Sequence, residues 1–453
     1  MRHLTIAALL AATGTLGSPA GAGDRPLQLA MKIEVSAAGS GSGLQLPPSD
    51  APVGAAASPV SAAGSIGTAS PVGAAGSAAA PAVDADPAET ATTTTPAPVE
   101  PPVRKLVIVG WGGGYGKAMR RGILDPYQQN ARTKIEVIEA PADGGLPPAS
   151  VAWDVAEVSA ADAKRACEAG QIARLDRLPL APGAYGTTPD QDFIDGSLGA
   201  CAVGSFAWSS LLLIDPRQFR KGQPETLADV FDGRRFKQKR AFARSPRYLL
   251  EMALMADGVA PDQVYGELST RVGVRRAFKK LDGIRKWIVW SDKSEVALNR
   301  LIKGEAAIAT AFSGRAFYAL ASELRPYQMM WDGQIYDMSV WVISNTTGAE
   351  ALAEDFVTFA TRADRLAAVS RWFPYGPVRL SALELVGKHQ TLDVSLSPYL
   401  ATTPANMTRA LAFNELFWRH YEAPLKDSLE AWIDGKDPLP PEPPVRGHQA
   451  RTD

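Results

Sequence analysis

From Lys105 onward the apolar positions fall into short strand-like runs that alternate with stretches of helical period. KLVIVG is followed by a helical segment after Tyr115, then KIEVIEA, then WDVAEVS and a helix from Ala161 to Ala169. The rhythm resumes with FKQKRAFARS and a helix from Tyr248 to Asp257. AAIATAF with a helix from Gly314 comes next, then MSVWVIS with a helix from Ala349 to Thr361. Such β-α-β-α alternation predicts an α/β fold with parallel strands, whose ligands bind beyond the carboxyl ends of the strands. Trp111 and Ser159 stand at two of those ends.

Before Lys105 the periodicity is missing. Arg2 and His3 precede an apolar run from Leu4 to Ala12, and small residues follow to Ala22, which predicts a signal peptide over 1–22. Residues 23–103 are dominated by Ala, Gly, Ser, Pro and Thr, with imperfect echoes such as ASPV. The first aromatic side chain of the chain is Trp111. A tract without aromatics buries too little apolar surface to offset its ordering entropy, so 23–103 reads as a disordered linker. The Pro-rich end, 441–453, reads as a flexible tail. The intervening 330 or so residues exceed what one core usually serves, which predicts two lobes. With 47 basic and 48 acidic residues the net charge is -1, and nothing global points to nucleic acid or a polybasic membrane surface.

The loop after the first strand, WGGGYGKA from Trp111 to Ala118, invites a nucleotide reading and fails it. In G-x-G-x-x-G the third glycine falls on Tyr115. In G-x-x-x-x-G-K-[ST] the first position is Trp111 and the last Ala118. Two readings remain: a plain strand-to-helix turn, or a loop whose rings and bare backbone face a cleft together. The chain has no C-x-x-C, H-E-x-x-H or G-x-S-x-G, and His389 and His420 are isolated. No cofactor, metal or catalytic group is therefore expected, and the protein does not read as an enzyme.

The order of the pieces resembles a family. WGGGYGKAMRRGILDPYQ, WDVAEVSAADAKRACEAGQIARLD, FAWSSLLLID, PETLADVFD, LLEMALMADGV, GEAAIATAFSGRAF, VWVISNTTGAEALAEDFVTFA and FPYGPV look like the spermidine/putrescine branch of bacterial extracellular solute-binding proteins of ABC importers. The resemblance implies a two-lobe periplasmic-binding-protein-like fold (type II) with crossing strands and an interlobe cleft. One lobe would comprise 104–208 and 332–382, the other 209–331 and 383–440. It implies a periplasmic protein that captures a small solute by hinge closure and delivers it to an ABC permease in the inner membrane. The alternative is a periplasmic sensory or scaffold module that signals occupancy to a partner.

By the same resemblance the ligand would be lined by Trp111, Tyr115, Ser159, Trp208, Ser209, Ser245, Arg247, Tyr248, Phe312, Arg315, Asp337, Ser339 and Tyr375. Trp111 would stand opposite Tyr248 and Phe312 once the cleft closes. An aromatic box of this kind attracts an alkylammonium through the negative ring faces. Polyamine binders of the family carry carboxylates at the start of the second-lobe helix and just before the return strand. Here those places read Ser245, Tyr248 and Ser339, leaving Asp337, with Glu251 one turn from Arg247. Two buried cations facing one carboxylate would be costly, so a monoamine, a zwitterion or a small polar molecule is expected rather than a polyamine. Arg247 and Arg315 either grip a ligand carboxylate or are solvated, lobe-stabilising arginines. Cys167 and Cys201 both fall in the proposed first lobe of an exported chain, which suggests a disulfide over two buried thiols.

Overall fold

A computed structural model describes residues 104–141 and 144–438. The signal peptide, the linker and the tail lie outside the described residues.

The first apolar run becomes strand β1 (Arg104–Gly110), whose Leu106, Ile108 and Val109 are buried. The glycines end it because they leave the backbone room to turn: Gly113 takes a left-handed φ of 65° as the first residue of helix α1 (Gly113–Met119). A π-helical turn, Arg120–Leu124, joins α1 to α2 (Asp125–Ala131). Gly122 lies so close to Val369 that an added Cβ would strike its backbone, which explains a glycine inside a helix. β2 (Thr133–Glu139) and β3 (Val155–Ser159) complete the opening unit, both parallel to β1. Ser159 then caps α3 (Ala160–Glu168), its hydroxyl accepting the Asp162 N–H.

Two long strands depart from the parallel expectation. β4 (Ala202–Ile214) is followed by β5 (Arg240–Ala243), α4 (Leu249–Ala256), β6 (Ile288–Ser291), β7 (Ile308–Phe312) and α5 (Ser313–Ala321). β8 (Gln328–Ile343) then runs antiparallel to both β3 and β4. The strand order is β2-β1-β3-β8-β4-β7-β5-β6, so β4 and β8 carry the sheet from one half of the molecule to the other. β8 begins ten residues before the MSVWVIS run, because Asp332 and Gly333 interrupt its apolar pattern.

Helices α6 (Glu350–Ala360) and α7 (Ala363–Ser370) cover the first half. The short strand β9 (Leu411–Ala412), parallel to β8, leads into α8 (Glu415–Ile433) on the second. One core cluster takes residues from Leu106 to Ala207 and from Tyr336 to Ala382. Another takes residues from Leu212 to Ile335 and from Leu411 to Trp432. A smaller cluster joins Phe317 on α5 to Ala367 on α7 through Val386, Leu396 and Leu400. No described helix is long and apolar enough to cross a membrane.

Candidate functional site

β8 has a gap on one edge. β3 pairs with it as far as Ser159↔Ser339, and β9 takes over at Tyr336, which leaves Asp337 between them. A cavity of about 830 Å³ opens there. α3 and residues 196–202 wall it on one side; Tyr265 and residues 410–416 wall it on the other, with Asp337 between.

Asp337 is the electrostatic centre of this place. It sits opposite Trp208 in the β4–β8 pairing. Its carboxylate accepts the Met338 N–H at 2.8 Å and makes no ion pair among the described residues. Burial pushes its pKa up to about 6, and the negative charges of Glu415 and Asp162 push the same way. A carboxylate largely withdrawn from water without a cation is costly, and an ammonium supplied from outside would relieve that cost.

Rings line up beside it. Phe413, in the wall of the cavity, stacks on Tyr248 at 4.9 Å between centroids. Tyr248 meets Phe312 edge-on at 6.0 Å, and Phe312 meets Trp208 edge-on at 5.4 Å. Burial raises the Tyr248 phenol, and Asp337 adds to the rise, which places the two groups within electrostatic reach.

The other expected residues separate into four groups. Ser159, Ser209 and Ser245 are spent locally, while Ser339 is engaged only through its carbonyl. The Ser159 hydroxyl bonds Asp162, that of Ser209 bonds the buried Gln334, and that of Ser245 accepts the Arg247 N–H; the Ser339 carbonyl accepts the Ser205 hydroxyl. Arg247 is held by Glu415 and Glu422, both at 2.7 Å, so its guanidinium is not available to grip a ligand carboxylate. Arg315, by contrast, is exposed on α5 and pairs with no carboxylate among the described residues.

Tyr115 and Tyr375 form a second cluster, 5.2 Å apart, with Phe206 and Phe373 around them. The Tyr115 hydroxyl donates to Glu157 at 2.6 Å, as does that of Ser205. Burial drives the Glu157 pKa up to about 7 against the pull of those two bonds. Tyr375 is pushed up to about 12 by burial and by Glu157, with Arg315 opposing. Trp111 lies apart from the Tyr248–Phe312 rings: it packs on the first core, its ring lies against Gly144, and it lines a different cavity.

Cys167 and Cys201 form a disulfide with Cα atoms 5.8 Å apart, and both line the Asp337 cavity. Across that cavity, Arg419 on α8 reaches Asp162 on α3 at 2.9 Å.

Several of these residues escaped the sequence reading. Glu157 had a signal, a single carboxylate inside the otherwise apolar VAEV run. Asp162, Phe413, Glu415 and Arg419 had none, since their meaning lies in contacts across 75 or more residues.

Comparison with known proteins places this fold and site in a family. The family model described as bacterial extracellular solute-binding protein matches residues 128–394. The chain belongs to that family. A gamma-aminobutyric acid-binding protein of Pseudomonas aeruginosa is 30% identical to this solute-binding protein over 334 residues, 73% of this chain and 91% of the relative. Among solved structures, an ABC transporter substrate-binding protein of Bradyrhizobium japonicum is 25% identical with a TM-score of 0.55. It aligns over 73% of this chain and 99% of its own. The spermidine/putrescine-binding protein of Streptococcus pneumoniae, 14% identical, superposes with a TM-score of 0.56 over 73% and 99% and shows the shared fold. The solute-binding protein has the two-lobe architecture of these neighbours.

Proposed function

We propose that the protein is the periplasmic capture component of an ABC importer and that its solute is a small amine-bearing zwitterion of the amino-acid class. The observation that carries the ligand class is Asp337, a half-buried carboxylate without an ion-pair partner among the described residues, in a cavity walled from both sides. An ammonium at Asp337 gains the ion pair and the faces of the neighbouring rings. Arg315, exposed and without a carboxylate partner among the described residues, does not line this cavity and acts on Tyr375 instead. The gamma-aminobutyric acid-binding relative supports the same class.

We assign the lobes to 104–208 with 332–382 and to 209–331 with 383–440, in keeping with the two core clusters. Closure follows when the solute binds both walls better together than apart. The partner in this reading is an inner-membrane permease, reached after export by the signal peptide.

Calorimetric titration of 4-aminobutyrate and of putrescine tests the reading. Asp337→Asn is expected to weaken 4-aminobutyrate binding at the cleft at least ~30-fold, because a desolvated charge pair loses one member. Putrescine, with two cations and one carboxylate between the walls, is expected to bind more weakly than 4-aminobutyrate. Equal or tighter putrescine binding, or an unchanged affinity in Asp337→Asn, would overturn the assignment.

A further inference from the structure

The glycine loop opens onto a second cavity, of about 370 Å³, and every residue lining it comes from 108–157 or is Trp341. It shares no lining residue with the Asp337 cavity. Its volume is in the range of small-molecule pockets.

Three buried polar atoms in its lining have no hydrogen-bond partner among the described residues: Nε1 of Trp111, Nε1 of Trp341 and Oε2 of Glu157. Trp341 and Glu157 are each 1% exposed and face one another across the β3–β8 pairing. Buried polar groups are paired as a rule, so three unpaired ones in one cavity mark a place for a polar occupant. Their chemistry is specific. Indole N–H groups only donate, so they require an acceptor; the carboxylate oxygen requires a donor. Lys117, Arg120 and Glu139 also line it, and an added Cβ at Gly112 would meet the Glu139 carboxylate. Apolar side chains, Ile108, Met119 and Leu124, close the rest.

We propose that this cavity is a second solute site, separate from the cleft, that takes a small amino-acid zwitterion, with its ammonium on Glu157 and its carboxylate on the indole N–H groups of Trp111 and Trp341. Glu157 already spends one oxygen on Tyr115 and Ser205, which fixes the carboxylate and leaves the other oxygen for the ligand. The glycines at 110, 112 and 113 keep side chains out of the opening. Ordered water is the competing occupant, since a buried water satisfies two to four polar groups.

Equilibrium dialysis of the mature chain against 4-aminobutyrate counts the sites. The wild type is expected to bind two equivalents. Glu157→Gln, which keeps an acceptor for Tyr115 and Ser205, is expected to bind one, the lost site weakened at least tenfold. Val137→Trp places bulk at the cavity rim, where Val137 is 37% exposed, and is expected to lose the same equivalent even if Glu157→Gln folds poorly. Asp337→Asn is expected to lose the other equivalent and to keep this one. One equivalent or none in the wild type, or two in both Glu157→Gln and Val137→Trp, would overturn the proposal. So would a crystal of the 4-aminobutyrate-saturated protein with only water in this cavity. Two equivalents retained in Asp337→Asn would instead refute the cleft assignment and leave the second site standing.

Discussion

Three carboxyls lack an arginine or lysine partner among the described residues, Glu157 and Glu251 buried and Asp337 half-buried, and desolvation pushes the pKa values of Asp337, Glu157 and Glu251 to about 6, 7 and 8. Each folded value lies above the unfolded one, so the folded state binds more protons between the two. The ionisation penalty is absent below the unfolded carboxyl range near pH 4, grows as pH rises, and is complete above the folded value. The ligand-free protein is therefore expected to melt at a higher temperature at pH 5.5 than at pH 8.5, and Glu251→Gln to narrow that difference; a flat or inverted profile by calorimetry would contradict it. Trp111 belongs to the same scale. Half-buried against the first core, it is expected on substitution by Ala to cost about 2 kcal/mol of stability, less than a fully buried ring. Affinity at the Asp337 cavity is expected to stay within about threefold, because Trp111 does not line it. A melt and a titration of the one mutant check both. The sequence showed Trp111, Trp208 and Tyr248 as exceptional because glycines and family phrases surround them. It hid Phe413 and Arg419, which are ordinary residues until chain folding sets Phe413 in the wall of the Asp337 cavity and Arg419 against Asp162.

Elements were legible where one period held. β1, β2, β3 and α3 lie within two residues of their apolar runs, since each is a short element, β3 being buried on both faces. β8 was read only in its second half, because its first half passes between lobes and the polar Asp332 sits in it to receive the Leu227 N–H and Arg409. The disulfide ties the end of α3 to the start of β4 across 34 residues. Closing a loop of that length in the unfolded chain is worth about 3–4 kcal/mol in the chain-entropy picture. Reduction and alkylation are expected to lower the melting temperature accordingly, and to weaken binding as well, because both cysteines line the Asp337 cavity. An unchanged titration with a lowered melt would confine the bridge to a structural part.

At the scale of the molecule, the Arg419–Asp162 ion pair is a contact made across the cleft. Arg419 is 39% exposed, so the pair is worth about 0.2–1 kcal/mol, and Arg419→Ala is expected to weaken solute binding at the Asp337 cavity by no more than about fivefold. The radius of gyration of the ligand-free mutant by small-angle scattering should rise with it; a smaller or unchanged radius would show that the pair does not hold the cleft closed. The strand β8 has a consequence in time. β3 finds its antiparallel neighbour, Val155 against Ile343, only after roughly 190 more residues have been made. At synthesis rates of about 5–20 residues per second, the edge of the first three strands stays bare for about 10–40 s. During that interval the ribosome holds a chain that has no way to finish either lobe, and its unpaired strand edge stays open to any other chain that meets it.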